Sequence, residues 1–390
     1  MTGFAARIDA ATPPGRDRGI DALRALAILG VVGGHWLVTA LVADSGTVRG
    51  ASPLTAMPHL APVSWVFQTL AVFFLVGGVV AAGSWASARK RGVPYRRWVG
   101  GRLARLFRPV AAVLTVWTLA AAVMLAAEVG EPTVRALVKL VWSPLWFLLV
   151  FAALTALTPL VARLHPLWPL VVVLHVDLVR LGLGGPRELG WVNVVAGWLV
   201  PYCLGALVAR GGLRGRAGRW GLLLGGASAT AGLVLWAGYP AAMVGVPGGR
   251  VSNLDPPSLA AVAFGLAQCG AALLLLGPLR RVLRRPVAWA AVAVVNLAAM
   301  TVFLWHQTAM IIVTMAALAL ADGPLPGVHT VPDDADWVTA RLLWLPVFAL
   351  ALLGCWAVFR GYEQGGRRTG GGSLVVRESA PTWKGWARRA

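Results

Sequence analysis

Long apolar runs separated by short polar or basic stretches repeat along the whole 390-residue chain. Ten runs stand out: 20–43, 62–85, 109–129, 141–162, 166–181, 188–209, 220–245, 258–279, 298–320 and 338–360. A bilayer core takes about 20 apolar residues in a helix, and the runs approach that length, the fifth only marginally. Residues 287–297 (VAWAAVAVVNL) are also apolar but share one stretch with the ninth run, which predicts an interfacial or broken helix. The pattern therefore predicts an all-α, polytopic integral membrane protein with about ten transmembrane helices. Trp65, Trp85, Trp142, Trp168, Trp220 and Trp337 fall near the ends of runs, where an aromatic belt places such side chains.

Composition supports the pattern. Hydrophobic residues make up 58% of the chain and charged ones only 13%, with mean hydropathy +0.73. A soluble domain carries roughly a quarter charged residues. The net charge of +20 would suit a nucleic-acid binder, but the cations sit in short clusters between apolar runs, which argues against one. With the N-terminus inside, 27 of the 35 Lys and Arg fall on the cytoplasmic side and seven, Arg341 among them, on the exterior; Arg24 lies within a span. The opposite loop 321–337 is acidic, so the positive-inside rule places both termini in the cytoplasm. This organisation gives a cytoplasmic N-terminal segment 1–17, a membrane domain 18–360 and a basic, disordered tail 361–390. That tail can touch anionic lipid through its cations, Trp383 and Trp386. An arginine inside the first run disfavours a signal peptide. Cys203, Cys269 and Cys355 lie in apolar runs without disulfide or zinc spacing.

The segment RALAILGVVGGHW, Arg24 to Trp36, carries both a fixed charge and a titratable ring. Eleven positions return Arg24 and His35 to nearly one helix face, about 16 Å apart along the axis. Asp21, one turn before Arg24, is placed to neutralise it in part. Arg24 lies near the cytoplasmic end and can snorkel there, whereas His35 is far deeper. A neutral imidazole is cheap to bury and makes a plausible proton acceptor. The bland alternative, an anchoring arginine and a histidine bonded to a neighbouring carbonyl, stands about even for each residue alone, because ionisable groups inside membranes lean functional.

At these residues the chain resembles acyltransferase family 3, integral membrane proteins that include polysaccharide O-acetylases and macrolide O-acylases. The segment IDALRALAILGVVGGH supplies Asp21, Arg24 and His35 at the spacing of the family's opening motif. FFLVGG resembles a second motif, with Gly77 where serine is usual; GGRLARLFRP resembles an arginine pair before a proline, giving Arg102, Arg105 and Pro109, with Arg108 added. SPLWFLLVF matches a tryptophan segment around Trp146, and VFLWHQTAM matches a late histidine segment through His306. Five motifs in order make the resemblance specific. It implies a membrane-bound O-acyltransferase using acyl-coenzyme A as donor substrate, with no bound cofactor or metal. A hydroxyl of a carbohydrate or secondary metabolite would accept the acyl group, at the plasma (inner) membrane.

For His306 a hydrogen-bonded core histidine is the favoured reading from residues alone, and the resemblance reverses it. Trp146 suits packing better than catalysis. Asp177 and Arg180, three apart, suit an ion pair, and His175 points to another helix face. His59 and His329 fall in exterior loops, and His165 at the cytoplasmic boundary. No HExxH, CxxC or carboxylate cluster offers a metal site, and no GxxxxGK or GxSxG is present. The segment 86–108, read as a loop, holds eight cations, most simply a topology signal. Its Arg102, Arg105 and Arg108 also suit the phosphates of a cytoplasmic polyanion. The expected catalytic residues are His35 as general base with Arg24 and His306. Arg102, Arg105, Arg108 and Trp146 are expected at the donor. A secondary transporter or flippase for a glycan or lipid-linked sugar, with Arg and His as a proton relay, is the alternative; a structural scaffold is a third.

Overall fold

The computed structural model describes residues 2–249 and 251–364, so the expected disordered tail lies almost wholly outside the described residues. Helices dominate, at 76% of the chain. Helix α1 (Thr2–Ala10) precedes α2 (Arg18–Val38), which leads into a hairpin of β1 (Ala40–Asp44) and β2 (Thr47–Ala51). Then follow α3 (Leu70–Lys90), α4 (Tyr95–Ala126), α5 (Glu131–Trp142), α6 (Trp146–Ala156) and α7 (Leu167–Asp177). The chain continues through α8 (Gly190–Ala209), α9 (Arg216–Trp236), α10 (Leu259–Val282), α11 (Pro286–Leu297), α12 (Ala299–Leu320) and α13 (Ala335–Gln364).

Among the described residues, eight helical stretches are long and apolar enough to cross a membrane. The runs at 166–181 and 220–245 fall outside that set. The first is an 11-residue helix extended by a π turn to Gly182, and the second begins with Arg216 and Arg219 and stops at Trp236. Both pack against neighbouring helices, α7 on α8 and α9 on α10. Arg219 Nη1 bonds Leu273 O within α10 at 3.3 Å, while Asp177 Oδ2 accepts from the Leu259 N–H at the start of α10 at 2.7 Å.

Several boundaries differ from the sequence expectation, each for a local reason. The first run does not stay helical to residue 43. It turns at Ser45 and Gly46, both at positive φ (48° and 78°), the backbone a tight type I′ hairpin needs. The second helix starts at Leu70 instead of 62, because Pro53, Pro58 and Pro62 restart short helical turns through 53–67. The basic segment 86–108 is not a loop. Its turn spans only residues 91–94, and Pro94 opens a 32-residue helix that carries all three candidate arginines. Residues 287–297 form a separate helix, with the break at Ala298.

Helices α3 and α8 approach most closely through paired glycines. A Cβ on Gly78 would sit 2.0 Å from Tyr202 O, and one on Gly205 2.0 Å from Leu75 O. Small residues let two backbones meet in this way where lipid offers no hydrophobic drive. The contact aligns Phe73 and Phe74 of α3 with Trp198 of α8 and with Phe147 and Phe151 of α6 in one aromatic core. Gly77 stands where the resembled motif carries serine, and Phe151 fills that space, its ring 2.3 Å from where a Cβ would stand.

On the face that carries the hairpin, buried Asp177 ties three elements together. It pairs with Arg180 at 3.5 Å, as the spacing predicts, and accepts from Asn193 Nδ2 (2.9 Å) and the Tyr239 hydroxyl (3.0 Å). Burial, and then the adjacent carboxylate, push the Tyr239 hydroxyl well above its ordinary range. His175 is exposed, and its Nδ1 bonds Val171 O of its own helix at 2.8 Å.

Candidate active site

The two candidate histidines meet. The ring centroids of His35 on α2 and His306 on α12 are 5.0 Å apart, from positions 271 residues apart in the chain. His35 is half-buried in the last turn of α2, and His306 is 1% exposed. Their Nδ1 atoms are both engaged. His306 Nδ1–H donates to Phe303 O, and His35 Nδ1 faces the Gln307 side-chain amide at 3.2 Å. With the Gln307 amide turned so that its otherwise unpartnered Oε1 accepts from His35 Nδ1–H, Nε2 is the nitrogen with an open lone pair on both rings. A proton on His306 Nδ1 leaves the Nε2 lone pair open, and this atom is buried with no hydrogen-bond partner. Trp36 closes the group from the other side, donating its indole N–H to His306 O at 2.9 Å.

Arg24 forms a second polar rung nearer the N-terminal face. Its Nε donates to Asn296 Oδ1 at 2.6 Å, and Nη2 bonds Asp21, which also pairs with Arg16 at 2.6 Å. Asn296 Nδ2 in turn bonds Asp21 O at 2.8 Å. The expected neutralisation by Asp21 is present, but Arg24 does not simply snorkel: its side chain is 31% exposed and is fixed to the break between α11 and α12. The rungs are 11 residues apart on α2, and Asn296 and His306 are ten apart on the facing chain. Between them lies a narrow apolar cavity lined by Ile28, Val31, Leu70, Phe73, Phe147 and Phe303, among others. Phe303 links it to the histidines, its ring 5.7 Å from that of His306.

The other predicted residues divide between the two faces. Arg102 is half-buried against α3, with Nη1 on Ser84 Oγ at 3.0 Å and its guanidinium 5.5 Å over the Trp98 ring. Arg105 is exposed and bonds Gly101 O of its own helix at 3.1 Å, and Arg108 is exposed one turn further. A three-residue step rotates a side chain by about 60° around a helix, so these cations fan outward instead of converging. Trp146 starts α6 on the hairpin face, and α4 carries the chain about 36 Å from Arg102 before turning towards it. Its ring lies 6.5 Å from Phe147 and 6.1 Å from Trp198, one aromatic layer from the cavity.

Sequence reasoning missed Asn296, Gln307 and Trp36. An amide within an apolar run was the available signal for the first two, since such a group must find partners inside a bilayer. Nothing marked Trp36 beyond its place beside His35.

Comparison with curated proteins and with solved structures gives no match. The family described as an acyltransferase domain matches residues 17–360, nearly the whole chain, including both histidines, both rungs and the arginines of α4. That family implies an acyl donor and a hydroxyl acceptor, and leaves the transporter reading without support. A helical membrane chain with a half-buried and a buried imidazole facing each other, matched over nearly its full length, belongs to acyltransferase family 3 and is a membrane acyltransferase.

Proposed function

We propose that this chain transfers a short acyl group from acyl-coenzyme A to a hydroxyl of a carbohydrate or secondary metabolite, in the plasma (inner) membrane with both termini cytoplasmic. The observation that carries the reading is the His35–His306 pair, ring centroids 5.0 Å apart and with the buried His306 Nε2 unpartnered, beside an apolar cavity lined by α2 residues Ile28 and Val31, between His35 and Arg24 in the chain. An extended donor suits that layout. Its phosphates would meet Arg102, Arg105 and Arg108 at the basic face, its arm would pass Arg24, and its thioester would reach the histidines. The cavity is narrow, so entry of the arm displaces the Phe73 and Phe303 rings. Trp146, behind Phe147, borders the acyl end.

In the reaction the acceptor oxygen attacks the thioester carbonyl. The new carbon–oxygen bond forms as the carbon–sulfur bond breaks. His35, the more accessible ring, takes the hydroxyl proton at Nε2 and returns it to the departing thiolate. His306 Nε2 supplies a hydrogen-bond acceptor beside the reacting carbon. An acyl-histidine intermediate on that nitrogen is the variant route.

The test is release of free thiol from acetyl-coenzyme A by purified protein supplied with membrane extract as the acceptor source. Wild type should release thiol, and His35→Gln should lose roughly 10²–10⁴-fold in turnover, because an amide bonds but takes no proton. Near wild-type turnover by His35→Gln would shift the base to His306.

A further inference from the structure

We propose that Arg341 is a positioning residue for acyl transfer, holding the hairpin-side end of α2 so that His35 stays in register with His306. The proposal rests on the roles given to the two histidines above. Arg341 lies in α13 and is 1% exposed. Its Nε donates to Trp36 O at 2.6 Å, Nη1 to Gly327 O at 2.8 Å, and Nη2 to Thr39 O at 2.5 Å, with Met310 Sδ 2.9 Å from Nη2. The guanidinium also lies over the rings of Trp337 (5.4 Å) and Phe348 (4.7 Å).

Two of those carbonyls belong to the end of α2, where the helix stops at Val38 and the last C=O groups lose their helical partners. A cation there also suits the negative end of the helix dipole. Arg341 makes no ion pair among the described residues, so peptide oxygens and aromatic faces alone compensate its charge. Burying an arginine without a carboxylate is costly, and a polar residue kept at that cost inside a membrane marks function more often than packing. The route to the site is short. Trp36, held by Arg341 through its carbonyl, donates its indole N–H to His306 O and directly follows His35 in the chain. Arg341 therefore clamps one residue that sets the distance between both imidazoles.

The test compares Arg341→Lys, Trp36→Phe, the double variant and Arg180→Met, by thiol release from acetyl-coenzyme A and by thermal unfolding in detergent. Lysine keeps the charge but cannot span three carbonyls, and phenylalanine keeps the ring but loses the bond to His306 O. Both should lower kcat on the order of tenfold to a hundredfold, the cost of a small misplacement in an active site. KM for acetyl-coenzyme A should stay within about twofold, since donor contacts are untouched. The double variant should be no worse than the more damaging single one. Arg180→Met, which breaks the remote Asp177 pair, should lower the unfolding temperature at full kcat. Unchanged kcat in folded Arg341→Lys, or in Trp36→Phe if the lysine variant does not fold, overturns the proposal. If His35→Gln itself keeps activity, it is the histidine assignment that fails.

Discussion

Arg102 and Arg105 differ in what surrounds them, although the sequence presents them as a matched pair. Arg102 is oriented by Ser84 and the Trp98 ring, whereas Arg105 leans on its own helix. A side chain already held in place loses less entropy on binding, so Arg102 should carry more of the donor affinity. Arg102→Lys together with Arg105→Lys keeps the charge count and hence insertion, but removes paired guanidinium geometry. Each charge-assisted bond lost costs about 1.5–3 kcal/mol, which predicts at least about a tenfold rise in KM for acyl-coenzyme A. Most of that rise should appear in Arg102→Lys alone. Unchanged donor kinetics in the double variant would leave these cations as a topology signal only. Residue chemistry was legible where spacing along one helix carried it: Arg24 with Asp21 and His35, and Asp177 with Arg180. It was illegible where the partner came from a distant helix, as with Asn296, Gln307 and Arg341. The sequence reads Arg341 as an exterior-side cation, yet it is enclosed because its guanidinium ends α2.

At the level of elements, apolar runs located the helices but not their ends. Mean hydropathy ignores backbone geometry, so it carried the first run through β1, although the Asp-Ser-Gly sequence at 44–46 was a hairpin signal. It also stopped at the arginines of α4, because charge reads as loop even where the chain stays helical. Glycines were similarly ambiguous, since only the fold separates those that permit contact from those that face outward. Gly205 and Gly221 make that difference measurable. A single methyl at Gly205 meets Leu75 O at 2.0 Å and must push α8 from α3, while a Cβ on Gly221 of α9 meets nothing within 4 Å. Overpacking of this kind costs about 1–3 kcal/mol, occasionally more. Gly205→Ala should therefore lower the thermal midpoint of purified protein by several degrees, and activity should fall with it. Gly221→Ala should be neutral or stabilising by up to about 1 kcal/mol. Equal midpoints for the two variants would contradict the close α3–α8 contact.

Across the whole molecule, the basic clusters gather on one face and the hairpin lies on the other. Arg91, Arg210 and Arg280 stand at the ends of α3, α8 and α10 that share the face of Asp17, to which Arg280 pairs at 2.5 Å. Asp44, Asp322, Asp333 and Asp334 lie in the hairpin and in the segment that joins α12 to α13, where His329 O accepts the Ala43 N–H at 3.0 Å. Charge asymmetry of this kind orients a membrane protein with the basic face in the cytoplasm. The donor argument depends on that orientation, because acyl-coenzyme A is a cytoplasmic polyanion. Cysteine labelling tests it on a quiet background, since Cys203, Cys269 and Cys355 are all buried. Arg49 of β2 is exposed on the hairpin face, and Gly215, before α9, has open space around it on the other. Arg49→Cys should react with an impermeant maleimide in intact cells, and Gly215→Cys only after permeabilisation. The reverse pattern would put the arginines of α4 outside the cell, where no coenzyme A reaches them, and the acyl group would then have to come from an exterior donor.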